Sequence, residues 1–291
     1  MCGVETTRTD TLRAMLVDLH THSRISDGSD SPSGLVDLAA AAGLGAMALT
    51  DHDTQEGIHE AAEAADRVGL ELVPGVEVSC GRGTHLVVLF LEPGRGPLQD
   101  RLAAIRDGRA TRNARMVDRL VELGIDLTIE EVEEEAGDGV VGRPHFAAVL
   151  LRKGAVGTVE EAFDRLLGNQ GAAYVPRETF SIEEAIPLAL ASGAVPIHAH
   201  PHTPQLGDEP LLDYLTRLKG LGLVGMEVIY PGYDADRRAA YRELADRVGL
   251  VVSGGSDHHG TYKPHIRLGS GLDGDVTVPD SVLEDLRAHA R

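Results

Sequence analysis

Short apolar runs alternate with longer stretches of helical periodicity along most of this chain. Residues 15–19 are the first apolar run and predict a buried strand, and residues 33–42 predict a helix ended by Gly43. Residues 46–50 predict a second strand, which stops at Asp51-His52-Asp53. Residues 57–68 read as a helix with Gly69 as its stop, because a left-handed glycine ends helices readily. Residues 70–79 hold a strand that delivers Glu77, and HLVVLFL at 85–91 is another buried strand. Such alternation predicts βα units and a parallel sheet or barrel.

The rhythm breaks at Pro93-Gly94-Arg95-Gly96-Pro97. From Leu98 to about Gly168 the pattern is helical with glycine punctuation, and Thr128 with Glu131 predicts a capping box. Ser181 with Glu184 predicts another, where the α/β rhythm resumes. Residues 194–197, 225–229 and 250–253 then read as strands, with helices near 211–221 and 235–248. The expected organisation is one discontinuous α/β domain, residues 14–98 and 181–291, interrupted by a helical insertion or cap at 99–180.

The polar residues at the strand ends carry the chemistry. His20-Thr21-His22 follows the first strand inside DLHTHSRISDG, and residues i and i+2 of a strand share a face. Asp27 comes five residues later. Asp51-His52-Asp53, Glu77, His85, His198-Ala199-His200-Pro201 and Asp257-His258-His259 complete the series. Imidazoles and carboxylates are ligands for first-row divalent metals, and most of these groups follow an apolar run. That is how a site forms at one end of a barrel.

Composition narrows the function classes. The formal charge of −19 argues against long duplex nucleic acid, which is held largely by phosphate neutralisation. It leaves anionic substrates open, because bound cations reverse the sign of a carboxylate-lined site. Residues 101–119 run against the trend, with Arg101, Arg106, Arg109, Arg112, Arg115 and Arg119 against two aspartates. They read either as a solvated helix or as an anion-attracting cap. No apolar run is long enough to span a membrane, and the first thirteen residues show no signal region. Cys2 and Cys80 make no zinc or redox spacing; Cys2 reads as a tail residue and Cys80 as a buried, inert thiol. A cytoplasmic location is expected. No feature predicts an obligate protein partner.

The motifs DLHTHSRISDG, TDHDT, GVEVS, HAHP and SDHH stand in an order that resembles the polymerase and histidinol phosphatase (PHP) family. The resemblance spans about residues 17–259. It implies a distorted (β/α)7 barrel with two or three divalent metal ions at the C-terminal strand ends. By resemblance, His20, His22, Glu77 and Asp257 hold one ion. Glu77 bridges to a second with His85 and His200, and Asp27, His52 and His259 hold a third. The oxygen and nitrogen donors suit Mn²⁺, Zn²⁺, Fe²⁺ or Mg²⁺ without choosing among them, and Mn²⁺ is the expected ion. Asp51 and Asp53 read as residues that orient ligands, and His59, His265 and His289 as surface residues.

The resemblance implies a metal-dependent phosphoric ester hydrolase in which a metal-bridging hydroxide attacks phosphorus. No nucleotide-binding glycine loop or serine elbow offers another route. Gly142-Arg143-Pro144-His145 resembles the subgroup acting on nucleotides and RNA 5′ ends. Arg143 is expected to bind phosphate and His145 to bind phosphate or protonate the leaving oxygen, with Arg177 as a further substrate contact. Expected substrates are nucleoside 3′,5′-bisphosphates or short RNA degraded 5′ to 3′. The alternatives are histidinol phosphate or another small phosphomonoester, and a non-catalytic metal-stabilised accessory module.

Overall fold

The computed structural model describes residues 15–137, 141–176, 179–204 and 210–291, excluding the side chains of Arg82 and Arg109. Cys2 and Arg177 lie outside the described residues. The chain enters through β1 (Leu16–Asp18), α1 (Pro32–Ala41), β2 (Ala46–Leu49), α2 (Ile58–Val68), β3 (Glu71–Ser79) and β4 (His85–Leu89). Helices α3 (Pro97–Glu122), α4 (Ile129–Ala136), α5 (Arg143–Arg152) and α6 (Val159–Ala162) follow, the last running into a π-helical turn. The alternation returns with α7 (Ile182–Ala191), β5 (Val195–His198), α8 (Leu211–Gly220), β6 (Gly225–Ile229), α9 (Ala235–Val248) and β7 (Val251–Gly254). The chain ends with β8 (Ile266–Arg267), β9 (Gly271–Leu272), β10 (Val278–Pro279) and α10 (Asp280–Arg287).

The main sheet has the order β10-β1-β2-β3-β4-β5-β6-β7. A parallel bridge between Thr21 and His258, just past β1 and β7, brings its far edges together into a distorted barrel. One expectation needs correcting. The strands are not all parallel, because β4 runs antiparallel to both β3 and β5. The link from β3 to β4 is too short for a helical crossover, so the chain turns back as a hairpin. The reversal has a functional consequence. His85 begins β4 opposite Ser79, so it sits at the end where the parallel strands finish.

The strand residues alternate between two cores. Val17, Leu19, Ala46, Ala48, Val87, Leu89, Val195 and Ile197 share one buried cluster inside the curved sheet. Val76, Val78, Leu86 and Val88 face the other way and pack with residues of α3, α7 and α8. A two-residue period that fills both faces is what a helix-covered barrel requires.

Helix α3 joins two parts of the molecule. Pro97 occupies its first turn, where a missing N–H does no harm. Leu98, Leu102 and Ile105, at i, i+4 and i+7, enter the barrel's outer core. Met116 and Leu120 enter a separate cluster with Phe146, Leu150 and Leu167. The arginines along α3 are distributed around it. Arg101 meets Glu184, Arg106 donates to the Asp53 carbonyl, and Arg112 is buried against Met116.

Candidate metal centre

Every ligand candidate arrives at the same end of the barrel. His20 and His22 leave β1, His52 follows β2, and Glu77 lies near the end of β3. His85 starts the reversed β4, His200 follows β5, and Asp257 and His259 follow β7. Asp27 sits in the loop after β1 because the chain folds back tightly at Gly28. A Cβ on Gly28 would collide with the carbonyl oxygen of His22. Asp53, His200 and Asp257 have φ of 57°, 26° and 52°, in the left-handed region that non-glycine residues rarely occupy. Strain of this kind, about 1–3 kcal/mol per residue, gathers at functional sites.

Glu77 is the hub. It is 1% exposed, and its Oε1 lies 2.8 Å from His85 Nδ1 and 2.9 Å from His200 Nε2. Its Oε2 lies 3.2 Å from His20 Nε2, 3.1 Å from His22 Nε2 and 3.3 Å from His52 Nε2. Asp257 Oδ1 lies 3.4 Å from His22 Nε2, and Asp27 Oδ1 lies 3.3 Å from His259 Nε2. Among the described residues, three groups have donor atoms that all lie within 4.8 Å of one another. They are His20, His22, Glu77 and Asp257; His22, Asp27, His52 and His259; and His52, Glu77 and His85.

The donor set fits divalent cations. His20 Nε2 and His22 Nε2 face each other at 3.0 Å, and His52 Nδ1 is buried without a hydrogen-bond partner. Imidazole nitrogens crowded around shared carboxylates leave lone pairs that a cation satisfies better than a few protons. The electrostatics show how much positive charge the site calls for. Burial alone would depress the pKa of His20, but Glu227, Glu77 and Asp257 outweigh it and hold it well above the ordinary value. His22 is raised to about 9 against the same burial, through Asp257 and Glu77. Burial would raise Glu77, yet His52 and His20 hold its carboxyl well below the usual range.

A surrounding set of groups orients these donors. Glu227 Oε1 accepts from His20 Nδ1 at 2.8 Å, and its Oε2 accepts the His200 backbone N–H at 2.7 Å. Thr203 pairs with His200 Nδ1, and His259 Nδ1 donates to the Asp257 carbonyl, so each ring turns its Nε2 inward. Asp51 takes hydrogen bonds from Ser23 and Ser26, and Asp53 takes one from the Ser79 backbone. Tyr230 and Lys263 donate to Asp257 Oδ2 at 2.6 and 2.7 Å. Glu227, Tyr230, Lys263 and Thr203 escaped the sequence reading. Glu227 carried a legible signal, a lone carboxylate inside the apolar strand GMEVI.

The neighbouring histidines divide cleanly. His258 pairs with Asp30 and the Ile266 carbonyl, away from Glu77. His198 is buried beside Tyr214, and burial lowers its pKa to about 3. His59, His265 and His289 are exposed. Cys80 is buried, and burial pushes its thiol pKa far up, so it is not a nucleophile.

The insertion reaches the site through one face. A cavity of about 570 Å³ is lined by Asp27 and Ser26 from the barrel and by Pro144 and His145 from α5. Arg143 is not brought to the cluster. Its guanidinium lies over the Phe163 and Tyr174 rings and donates to the Leu167 carbonyl and to Asn169 Oδ1.

The PHP domain profile matches residues 18–136. Over 269 residues the chain is 37% identical to a 5′-3′ exoribonuclease of Haemophilus influenzae, covering 91% of this chain and 96% of that one. The chain belongs to the PHP family. This PHP protein is also 35% identical over 247 residues to a 3′,5′-nucleoside bisphosphate phosphatase of Chromobacterium violaceum, covering 84% and 87% of the two chains. A crystal structure described as a metal-dependent phosphoesterase, from Bifidobacterium adolescentis, superposes with a TM-score of 0.75 at 31% identity. The match covers 96% of this chain and 97% of that one. The PHP protein is a metal-dependent phosphoesterase with a distorted barrel fold. Among the described residues, no helix is long and apolar enough to cross a membrane.

Proposed function

We propose that this PHP protein hydrolyses phosphate esters of nucleotides, taking a phosphate from a nucleoside 3′,5′-bisphosphate or degrading short RNA from its 5′ end. The observation that carries the reading is the Glu77-centred cluster opening, through Asp27, onto a cavity shared with His145. Relatives named for both activities support it.

His20, His22, Glu77 and Asp257 would hold one divalent ion, Glu77, His85 and His200 a second, and Asp27, His52 and His259 a third. Ions bound there supply Lewis-acid charge for phosphate oxygens and lower the pKa of water. Glu227 fixes the His20 ring and the His200 backbone, so the donors meet without rearrangement. His145 is the imidazole that lines the cavity. Its Nδ1 accepts the Gly142 N–H at 3.1 Å, which leaves Nε2–H as the donor of the neutral ring. Burial lowers the His145 pKa, so the ring is neutral at neutral pH. It would donate to a phosphate or leaving oxygen.

The test is phosphate release by Mn²⁺-supplemented protein from adenosine 3′,5′-bisphosphate, AMP, histidinol phosphate and a short 5′-phosphorylated RNA, with His22→Ala as control. Turnover of the bisphosphate or the RNA that disappears in His22→Ala is expected. Preference for histidinol phosphate would replace the substrate assignment. Full metal occupancy without turnover of any compound would return the protein to the accessory-module reading.

A further inference from the structure

Ten aromatic side chains, six tyrosines and four phenylalanines, occur in the chain. Of these Tyr262 alone is exposed, at 71%. It lines the same cavity as Asp27 and His145. Its backbone is not a loose loop. The 3-10 turn Gly260–Tyr262 follows directly on His259, and three contacts fasten it to the segment after Asp27. Thr261 N–H donates to Ser29 Oγ at 2.8 Å, Ser29 N–H donates to the His259 carbonyl at 3.2 Å, and His258 Nε2 meets Asp30 at 3.1 Å. Gly260 has φ of 62°, and a Cβ there would strike Ser29 and Asp30, so the turn sits hard against that segment.

A rigid turn thus presents an unpartnered aromatic face at the mouth of the cavity, next to the loop that carries Asp27. Any base has a π-face, and an aromatic side chain held ready loses little freedom on stacking. The volume, about 570 Å³, falls in the range of small-molecule sites.

We infer that Tyr262 stacks on the base of the nucleotide substrate and makes this protein prefer nucleotides to base-free sugar phosphates. The inference rests on the nucleotide phosphoesterase reading. It adds a specificity residue outside the group of metal donors.

The experiment compares kcat/KM for adenosine 3′,5′-bisphosphate and for the same ribose bisphosphate without a base, in wild type, Tyr262→Ala and Tyr262→Phe. Wild type should favour the nucleotide. Tyr262→Ala should lower kcat/KM for the nucleotide by roughly 5- to 150-fold, mainly through KM, and leave the base-free compound unchanged. Tyr262→Phe keeps the ring and should retain the preference. An equal fall on both compounds in Tyr262→Ala would show a structural role and overturn the inference. So would an unchanged preference, or a wild type indifferent to the base; in both cases the phosphoesterase reading survives. A wild type that hydrolyses neither compound nor the short RNA would remove the nucleotide reading and the inference with it.

Discussion

At the open end of the barrel, a carboxylate that is 1% exposed sits among five imidazoles, and further buried groups fix those rings in place. In the insertion the charges, the buried Arg112 apart, lie towards the outside. Lys153 meets Glu131, Arg152 meets Glu135 and Arg165 meets Glu161 around a small apolar core of Phe146, Leu150 and Leu167. Both regions are rich in ion pairs, but the environment decides what they do. Buried charges interact strongly and suffer if one partner is lost, whereas solvent screens exposed pairs. We propose on this basis that the barrel end is built to hold cations, and that the insertion is a wall whose polar surface contributes little to the chemistry. The exception is the face that carries His145.

The hardest test of that contrast is Glu77→Gln. It removes the charge shared by two of the three donor groups while nearly keeping the shape. We expect metal content to drop and kcat/KM to fall by roughly a thousandfold, equivalent to several kcal/mol of lost charge stabilisation. Metal analysis beside turnover checks it, and near-normal values for both would break the account of Glu77 as a hub. In the insertion the matching loss is apolar. Phe146→Ala should destabilise the fold by about 3–5 kcal/mol, seen as a lowered melting temperature, with metal affinity of the folded protein unchanged. A parallel fall in metal affinity would mean that the two regions act as one unit.

A finer test concerns the residues that only orient ligands. Glu227 touches His20 and the His200 backbone, and Gln cannot accept both hydrogen bonds with both atoms of its amide. Glu227→Gln should weaken metal affinity by about 10- to 100-fold without much change in stability. Titration with Mn²⁺ measures it. An unaltered affinity would show that the rings are held by packing alone.

How much of this was legible in the sequence differs between the same two regions. At the barrel end, the motifs placed His20, His22, Glu77 and Asp257 at strand ends, because buried parallel strands are short apolar runs with polar stops. The reversal of β4 was not legible, since an apolar run carries no direction. Strands β8 to β10, with two residues each, are too short for any periodicity. Tyr230 lies 27 residues before Asp257 and Lys263 six after it, and no periodicity pairs either with that carboxylate; the fold does. In the insertion the helical pattern was visible, and so was the Thr128–Glu131 capping box. The direction of Arg143 was not, because Pro144 fixes where a helix starts but not which way the preceding side chain turns.

The smallest expected effect returns to that capping box. Thr128 Oγ1 accepts the Glu131 N–H, and the Glu131 carboxylate accepts the Thr128 N–H at 2.9 Å, so two otherwise unpaired donors at the start of α4 are satisfied. Thr128→Ala removes one of them and should cost about 1 kcal/mol of stability in chemical denaturation. The helix lies on the insertion, and Ala136 at its far end lines the His145 cavity. If the insertion is a wall held by its own core, a frayed first turn should leave KM for the bisphosphate as it was. If KM rises in step with the lost stability, the first turn of α4 is coupled to the cavity. The polar surface of the insertion then takes part in shaping the site, and the contrast between the two regions narrows to the burial of their charges.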